Sequence, residues 1–277
     1  DATTEEKEQA NQQVDAQLTQ GNQNIENAQS IDDVNTAKEN AIQAIDPIQA
    51  STDVKTNARA ELLTEMQNKI TEILSDNTTT NEEKGKDIEP VRATYEEGLN
   101  NINTANTTGD VTTAKDTAVQ KVQQLHANPV KKPAGKTALD QAAADRKTQI
   151  EQTPNASQQE INDAKQEVDA ALNQAKTNVD QSSTNEYVDN AVKEGKAKIN
   201  AVKTFSEYKK DALAKIADAY NAKVNEADNS NASTSSEIAE AKQKLAELKQ
   251  TADQNVNQAT SKDDIEVQIH NDLDNIN

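Results

Sequence analysis

The side chains best suited to chemistry are few and widely separated in this sequence. Its two histidines, His126 and His270, have no partners at the spacing of a metal site or of a catalytic triad. Cysteine is absent, which excludes disulfides and thiolate metal ligands. We therefore interpret both histidines as surface residues of helices, and we predict no catalytic, cofactor-binding or metal-binding residue.

Two acidic doublets, Asp32-Asp33 and Asp263-Asp264, raise the alternative of a divalent cation site. Neither has the central Gly and terminal Glu of an EF-hand loop, and carboxylates are equally favourable at the N-terminus of a helix. The six glycines form no phosphate-binding motif. We therefore favour helix starts over ion binding at the doublets, and we expect neither an enzyme nor a small-molecule substrate.

The strongest pattern is a helix-capping box that recurs every 77 residues without an insertion or deletion. A Ser or Thr opens each box and a Glu closes it three residues later. The hydroxyl accepts a hydrogen bond from a free backbone N–H of the first turn, and the carboxylate accepts one from the cap residue itself. The pattern therefore predicts where the first helix of each repeat begins. The boxes lie at Thr3–Glu6, Thr80–Glu83, Ser157–Glu160 and Thr234–Glu237.

Apolar residues follow each box at intervals of three and four, the period of an amphipathic helix. In the first repeat Val14, Leu18 and Ile25 form such a stripe. Two further helix starts follow in each complete repeat, so we expect three helices of about 20 to 25 residues apiece. The predicted inward face of the second helix extends to Ile48 in the first repeat and to Leu125 in the second. The second starts lie at Ser30, Thr107, Thr184 and Ser261, and the third starts lie at Ser51, Asn128 and Phe205.

The period divides the chain into three-helix repeats at 1–77, 78–154 and 155–231, followed by a partial repeat at 232–277 with helices 1 and 2 only. Helices with one apolar face and short connections pack most economically as antiparallel bundles. An odd number of antiparallel helices places the two ends of a repeat on opposite sides. The sequence therefore predicts an all-α fold in which tandem antiparallel three-helix bundles form an elongated rod. Pro154 excludes a continuous helix across the second junction, whereas a bent continuous helix remains open at the first and third junctions.

Composition limits both the core and the partners. Only 33% of residues are apolar, the aromatic residues are four Tyr and one Phe, and the formal net charge is −19. Each repeat therefore has a thin core, and the charge disfavours nucleic acids and anionic membrane surfaces. No apolar run reaches the roughly 20 residues of a membrane helix, and the first residues do not resemble a signal peptide. Because the fourth repeat is partial, we expect a fragment of a longer protein, with signal peptide and anchor outside it.

Aromatic residues concentrate in the third repeat and offer the one candidate for a partner-binding patch. Exposed aromatic side chains often anchor protein interfaces. However, Tyr208 and Tyr220 occupy columns that hold aliphatic residues in other repeats, and Phe205 is suited to a hydrophobic staple. We therefore favour core packing over a binding patch for this group, which also includes Tyr187.

Three short motifs stand out in the first repeat, namely Ala2-Thr-Thr-Glu-Glu-Lys7, Asn24-Ile-Glu-Asn-Ala28 and Asp33-Val-Asn-Thr-Ala-Lys38. The last two motifs recur at 101–105 and 110–115, whereas Tyr187 and Gln268 depart from the third motif in later repeats. On the basis of these motifs, the whole chain resembles the helical repeat of unknown function in giant, cell-wall-anchored surface proteins of staphylococci.

The resemblance implies an extracellular, sortase-anchored protein of the Gram-positive cell wall, related to adhesins implicated in cell aggregation and biofilm. Our leading interpretation is a structural stalk that projects an adhesive region from the wall and supports cell adhesion. The alternative is a repetitive binding module whose helix faces recognise host extracellular matrix or serum proteins, or self-associate between cells. An intracellular coiled-coil scaffold is less favoured, because polar connections interrupt the apolar stripe. The family implies no catalytic, cofactor or ligand residues.

Overall fold

The computed structural model describes all residues, 1–277, and contains eleven helices and no strands, which confirms the predicted all-α fold. None of the helices combines the length and the apolar composition needed to cross a membrane. The helices are α1 (Thr4–Glu26), α2 (Ile31–Ile45), α3 (Asp53–Ser75), α4 (Asn81–Thr104), α5 (Thr108–Gln123), α6 (Lys131–Glu151), α7 (Gln158–Gln181), α8 (Asn185–Ala201), α9 (Phe205–Asp228), α10 (Ser235–Gln258) and α11 (Lys262–Ile276).

Capping side chains begin the first and second helices of every repeat where the sequence predicts. For the third helices, predicted to start at Ser51 and Asn128, α3 begins at Asp53 without a side-chain cap and α6 begins at Lys131. The boxes at α1, α4, α7 and α10 each have both hydrogen bonds of a capping box. The second helix of every repeat also starts after the predicted Ser or Thr, whose hydroxyl accepts from the backbone three residues later. A further box, Thr204 with Glu207, begins α9. α9 begins at Phe205 as predicted, but the sequence prediction did not recognise the Thr-x-x-Glu box that caps it.

The second helices are shorter than predicted. α2, α5, α8 and α11 contain 15, 16, 17 and 15 residues, so the predicted length of about 20 to 25 residues is wrong for them. α2 stops at Ile45, and Pro47, two residues later, has no N–H with which to continue the helical hydrogen bonds. Ile48 and Leu125, predicted on the inward face of these helices, lie beyond the helix ends.

Each buried core is shared by three helices. The first compact unit, Asp1–Lys131, contains the α1–α2 pair and a bundle of α3, α4 and α5. The second unit, Lys132–Asn277, contains one bundle of α6, α7 and α8 and another of α9, α10 and α11. Helices adjacent in sequence run antiparallel within these groups. The first helix of each bundle contributes a fully buried central side chain, which is Leu62, Leu139 or Ile216.

The bundles keep the 77-residue period but begin at a different helix from the predicted repeats. Boundaries at residues 77, 154 and 231 place α3, α6 and α9 at the ends of repeats, whereas each of these helices shares a core with the two helices that follow it. α3 groups with α4 and α5 because their side chains fit together. Leu62 of α3 lies against Gly98 of α4, so the apolar face of α3 is covered by the next repeat.

The chain is not helical across any junction between the predicted repeats. α6 ends before Pro154, as predicted, and Asn155 adopts a left-handed φ of 63° in the turn. The continuous helix left open at the first and third junctions is absent. At the first junction the Asp76 carboxylate accepts from the Thr78 N–H at 2.6 Å, which closes a turn between α3 and α4.

The first two helices of a repeat meet at a close contact between small residues. A Cβ added at Gly98 of α4 would lie 2.5 Å from the Cβ of Ala118 in α5. In the third repeat the order is reversed, since Ala175 lies on α7 and a Cβ added at Gly195 of α8 would lie 2.6 Å from it. Each of these contacts therefore has room for one Cβ and not for two.

Candidate functional site

The side chains that sequence reasoning singled out for chemistry are exposed or engaged at helix ends. Nδ1 of His126 lies 3.7 Å from the Glu72 carboxylate, and Nε2 of His270 lies 3.6 Å from that of Asp274. Both histidines are largely exposed. Residues 1–277 form no group of three or more His, Cys, Asp or Glu side chains placed to hold a metal ion.

The acidic doublets lie in the first turns of α2 and α11, as predicted, shortly after the cap residues Ser30 and Ser261. The Asp33 N–H donates to Ser30 Oγ at 3.1 Å, and the Ser30 hydroxyl donates to the Asp33 carboxylate at 2.7 Å. At α11 the Asp264 N–H donates to Ser261 Oγ at 3.1 Å, while the Asp264 carboxylate accepts from the Thr260 N–H at 3.0 Å. Their charge also lies at the favourable end of each helix dipole.

The box glutamate of the first repeat joins two helix N-termini. One oxygen of Glu6 accepts from the Thr3 N–H at 2.8 Å, and the other accepts from the Val54 N–H, at the start of α3, at 3.1 Å. The same end of α1 meets the α4–α5 connection, where the Thr4 N–H donates to the Asn106 carbonyl at 2.9 Å. The start of α1 therefore contacts both the start of α3 and the α4–α5 connection, which lie at the same end of the next bundle.

The second repeat has the same joint. Glu83 accepts from the Thr80 N–H at 2.8 Å and, at the start of α6, from the N–H groups of Val130 at 3.1 Å and Lys131 at 2.7 Å. Glu83 and Lys131 are 48 residues apart in the chain, as are Glu6 and the α3 residue it binds. The carboxylate that closes the capping box is thus also a cap for a second helix.

The third repeat differs at this point. Glu160 reaches α9 only through the Ser206 hydroxyl, at 3.2 Å, because the N–H groups at the start of α9 have their own capping box. Glu207 of that box accepts from Nη2 of the buried Arg146 at 2.7 Å. Nε of Arg146 also donates to the Val202 carbonyl at 2.8 Å. A partly buried ion pair between α6 and α9 therefore supports the start of α9 in place of a shared cap.

The pKa values of the joining glutamates are lowered. Burial raises the pKa of Glu6, but hydrogen bonds from the backbone N–H groups of Thr3 and Val54 lower it further than burial raises it. For Glu83, burial again opposes the backbone N–H groups that it accepts from, and the pKa is again below its ordinary value. A carboxylate that only accepts hydrogen bonds is held in its charged form. Both joints are therefore anionic at neutral pH.

In each bundle, a lysine near the start of the first helix caps the C-terminal end of the second helix. Nζ of Lys55, a buried residue of α3, donates to the carbonyl of Asn103 in the last turn of α4 at 2.7 Å. A cation at this end satisfies a carbonyl that the helix leaves free and interacts favourably with the helix dipole. Sequence reasoning missed these lysines, although their 77-residue spacing was a signal. The equivalent pairs are Lys132 with Asp180 and Lys209 with Asn257, both at 2.8 Å.

The aromatic residues of the third repeat are divided between core and surface. Phe205 and Tyr208 are partly buried and pack against the core of the α9–α11 bundle, which confirms the packing prediction for these two. Tyr187 is exposed on α8. The staple prediction for Phe205 is wrong, because a staple uses the residue before the cap and Phe205 follows the cap residue Thr204.

A cleft of about 280 Å³ lies beside the Phe205 ring, lined by α7, the start of α9 and the α10–α11 connection, including Lys262. Nζ of Lys209 lies 4.7 Å from the centre of the Phe205 ring, and Nζ of Lys262 lies 5.1 Å from that of Tyr208. Lys262 also pairs with Glu167 at 2.8 Å. The box glutamates and the capping lysines are engaged with backbone groups and therefore position helices. This cleft combines aromatic, cationic and anionic groups, which makes it the candidate for recognition of a protein partner.

A family model described as Domain of Unknown Function (DUF1542) matches four consecutive segments, residues 1–53, 54–130, 131–207 and 208–277. Together the segments cover the whole chain. The last three begin at, or within three residues of, the starts of α3, α6 and α9. The model therefore groups the helices as the buried cores do. No solved structure matches the chain.

Two staphylococcal proteins are similar to nearly the whole chain. Extracellular matrix-binding protein EbhA of Staphylococcus aureus strain Newman is 25% identical over 274 residues, which is 99% of this chain and 8% of the relative. Extracellular matrix-binding protein ebh of strain NCTC 8325 / PS 47 is also 25% identical over 274 residues, which is 99% of this chain and 3% of the relative. The chain thus spans less than a tenth of the length of either relative.

Proposed function

The chain belongs to the DUF1542 family, and we propose that its repeats are spacer elements of a bacterial cell-surface adhesin. In this role they form an elongated stalk, attached to the cell wall, that projects an adhesive region and supports attachment, aggregation or biofilm. Similarity over nearly the whole chain to segments of staphylococcal extracellular matrix-binding proteins supports an extracellular location on the cell surface.

The observation that carries this proposal is the repetition of the same joint. In each of the first two repeats, a box glutamate caps its own helix and also accepts from a backbone N–H 48 residues later, at the start of another helix. In each bundle, a lysine caps the helix that its own helix packs on. In a spacer, every repeat should extend the protein by the same distance. A repeat length of 77 residues without insertions, with polar contacts that recur at that spacing, is suited to such regular extension.

Small-angle X-ray scattering of the full chain tests the spacer role. A compact protein of this length has a radius of gyration of about 19 Å. Helices α3, α6 and α9 contain 23, 21 and 24 residues, so each is about 32 to 36 Å long. Bundles joined end to end would give a radius of gyration above roughly 30 Å on these lengths. A value near that of a compact protein would overturn the proposal.

Recognition of an extracellular matrix protein is a second candidate function, favoured by the cleft beside Phe205. Lys262, which lines this cleft, also lies over the Tyr208 ring. The other repeats lack the Phe205 and Tyr208 pair, so the third repeat has a surface that a uniform spacer does not need. The names of the relatives describe matrix binding, which supports the same class of partner. On this view one specialised repeat binds while its neighbours extend the chain.

Surface plasmon resonance of the full chain over immobilised matrix proteins tests the second candidate. Lys262→Thr introduces the residue present at the equivalent position 108 and removes the cation beside Tyr208. We expect it to weaken binding by about tenfold, the effect of losing one interface anchor. Lys242→Thr is the control, since this lysine pairs with Asp228 away from the cleft. Absence of binding by the parent chain, or equal loss in both variants, would rule out recognition at this cleft.

A further inference from the structure

The α1–α2 pair exposes apolar positions that every other pair buries. Val34 of α2 is 38% exposed, whereas the residues at the same repeat position, Val111, Val188 and Ile265, are 1%, 1% and 2% exposed. Ile25 of α1 follows the same pattern: it is only partly buried, and its equivalents in α4, α7 and α10 are fully buried. α2 contains no buried residue at all. This face therefore has the apolar residues of a bundle core, but it is not covered by a third helix.

The helices that cover the equivalent faces share a signature. Each has a lysine, a small residue three positions later and a Leu or Ile four positions after that. The lysine donates to a carbonyl at the end of the helix it covers, and the Leu or Ile is fully buried at the bundle centre. The signatures are Lys55, Ala58 and Leu62 in α3, Lys132, Gly135 and Leu139 in α6, and Lys209, Ala212 and Ile216 in α9.

The α1–α2 face has the receiving groups for this signature. A Cβ added at Gly21 would lie 2.6 Å from the Cβ of Ala41, the same Gly and Ala pair that α4 and α5 form at Gly98. A Cβ added at Gly98 would lie 2.7 Å from Cδ2 of Leu62, so the glycine makes room for that leucine. The carbonyl equivalent to the acceptor of Lys55 belongs to Glu26, in the last turn of α1.

We propose that the α1–α2 face is a docking surface for a third helix of the α3 type, supplied by another repeat. The helix lies antiparallel to α1, with its lysine at the Glu26 carbonyl and its leucine beside Gly21. Helices α3, α6 and α9 of a second copy are unsuited to this role, because their central side chains are fully buried in their own bundles. The occupant is therefore an additional helix with the same signature. This surface binds such a helix whether or not the repeats act as spacers.

The test adds the helix to the full chain in the register of the intact bundles. A copy of residues 52–77 is placed directly before Asp1, so that it precedes the Thr3 box with the spacing at which α3 precedes the Thr80 box. We expect amide hydrogen exchange in α2 to slow by about tenfold or more, because local opening then requires the added helix to leave. A copy of residues 129–154, which carries the α6 signature, is a second graft and should protect α2 in the same way.

Matched variants assign the protection to the proposed contact. Leu62→Ser within the grafted copy should abolish protection while leaving the helix polar and intact elsewhere. On the receiving side, Val34→Lys should prevent protection, whereas Ile31→Lys on the same helix should not. Ile31 lies outside the face, is largely exposed, and its equivalent in the fourth repeat is already Lys262. Circular dichroism of each variant verifies that the total helical content of the chain is unchanged.

Two results would overturn the proposal. One is unchanged exchange in α2 with both grafts, when circular dichroism shows that the added segment is helical. The other is protection that survives Leu62→Ser in the graft or Val34→Lys in α2, since the added segment would then act without docking on this face. Scattering by the parent chain is unaffected by either result, so failure here is distinguishable from failure of the spacer role.

Discussion

The α1–α2 and α4–α5 pairs are the same two helices of successive repeats, but only the second pair has a buried core. Both begin with the same caps and carry apolar residues at the same repeat positions. α5 buries Val111, Ala118 and Val122, whereas α2 buries none of its residues. The difference between them is α3, which covers α4 and α5. Capping residues and apolar stripes therefore specify the individual helices. A buried core forms only where a third helix covers the apolar faces of the other two.

The largest expected effect comes from removing the contact that α3 makes with its pair. Leu62→Ala leaves a cavity beside Gly98 and should destabilise the α3–α5 bundle by about 2 to 5 kcal/mol. With this contact removed, the apolar faces of α4 and α5 should become more accessible to solvent, as those of α1 and α2 are. Opening free energies from amide hydrogen exchange in the full chain measure it. The control is Leu63→Ala, at a partly exposed neighbour, with a cost below about 1 kcal/mol; equal losses would contradict the assigned packing.

A second test concerns the contact that α1–α2 and α4–α5 have in common. Gly98→Ala places a second Cβ where there is room for one, and should cost about 1 to 3 kcal/mol. Adding Ala118→Gly recreates the order found at Ala175 and Gly195 in the third repeat. The double variant should therefore be more stable to urea than Gly98→Ala alone, although Ala118→Gly by itself is destabilising. If the double variant instead lost the sum of the stabilities lost by the two single variants, the Gly98–Ala118 contact would not limit how closely the helices approach.

The capping lysine gives a smaller effect at the end of the same bundle. Lys55→Met keeps the apolar stem but leaves the Asn103 carbonyl without its cation, which should cost about 1.5 kcal/mol in thermal unfolding. Lys84→Met is a matched control, because Lys84 also donates to a helix-end carbonyl, that of Leu74, but at an exposed position. Its cost should be below about 0.5 kcal/mol. An equal effect of the two substitutions would indicate that burial adds nothing to the cap.

The smallest expected effect is a pH-dependent change in Tm. It compares the capping box of Glu83, which also caps a second helix, with that of Glu237, which does not. The pKa of Glu83 is lowered from its ordinary 4.5 by backbone hydrogen bonds that outweigh burial, so its carboxylate stabilises the folded state above that pH. This contribution is lost as pH falls through the lowered pKa. The Tm difference between the parent chain and Glu83→Gln should therefore shrink as pH falls below about 4.5.

Glu237 provides the comparison for that experiment. Hydrogen bonds from the backbone and hydroxyl of Thr234 lower the pKa of Glu237, but it accepts from no second helix in the structure. Glu237→Gln should therefore lower Tm less than Glu83→Gln at neutral pH, with the same direction of pH dependence. A larger effect of Glu237→Gln would contradict the role assigned to the shared cap.

Local features of the fold were predictable from sequence because their causes are local. A Thr or Ser followed three residues later by a Glu or Asp fixes a helix start, and apolar residues at intervals of three and four fix its buried face. The phase of the bundles was not predictable in this way. A strictly periodic sequence has the same period from any starting helix, so the boxes could not reveal that α3 belongs with α4 and α5.

The joints between helices depend on contacts between residues far apart in sequence. Glu6 was recognised as a cap for α1, but its second contact, with Val54, forms only when the end of α2 returns the chain to the start of α1. The lysine signature around Lys55 was visible as a spacing, but its meaning required the position of the Asn103 carbonyl. Sequence therefore predicted the helix ends, and tertiary packing determined which ends meet.

Native-state hydrogen exchange of the unmodified chain is the most direct test of the claim that a third helix completes each core. It compares the amides around Val34 in α2 with those around Val111 in α5, which occupy the same repeat position in equally capped helices. We predict exchange in α2 that is faster by about 100-fold or more, after correction for intrinsic rates. Equal protection of the two helices would contradict the account, because α2 would then be stable without the helix that covers α5.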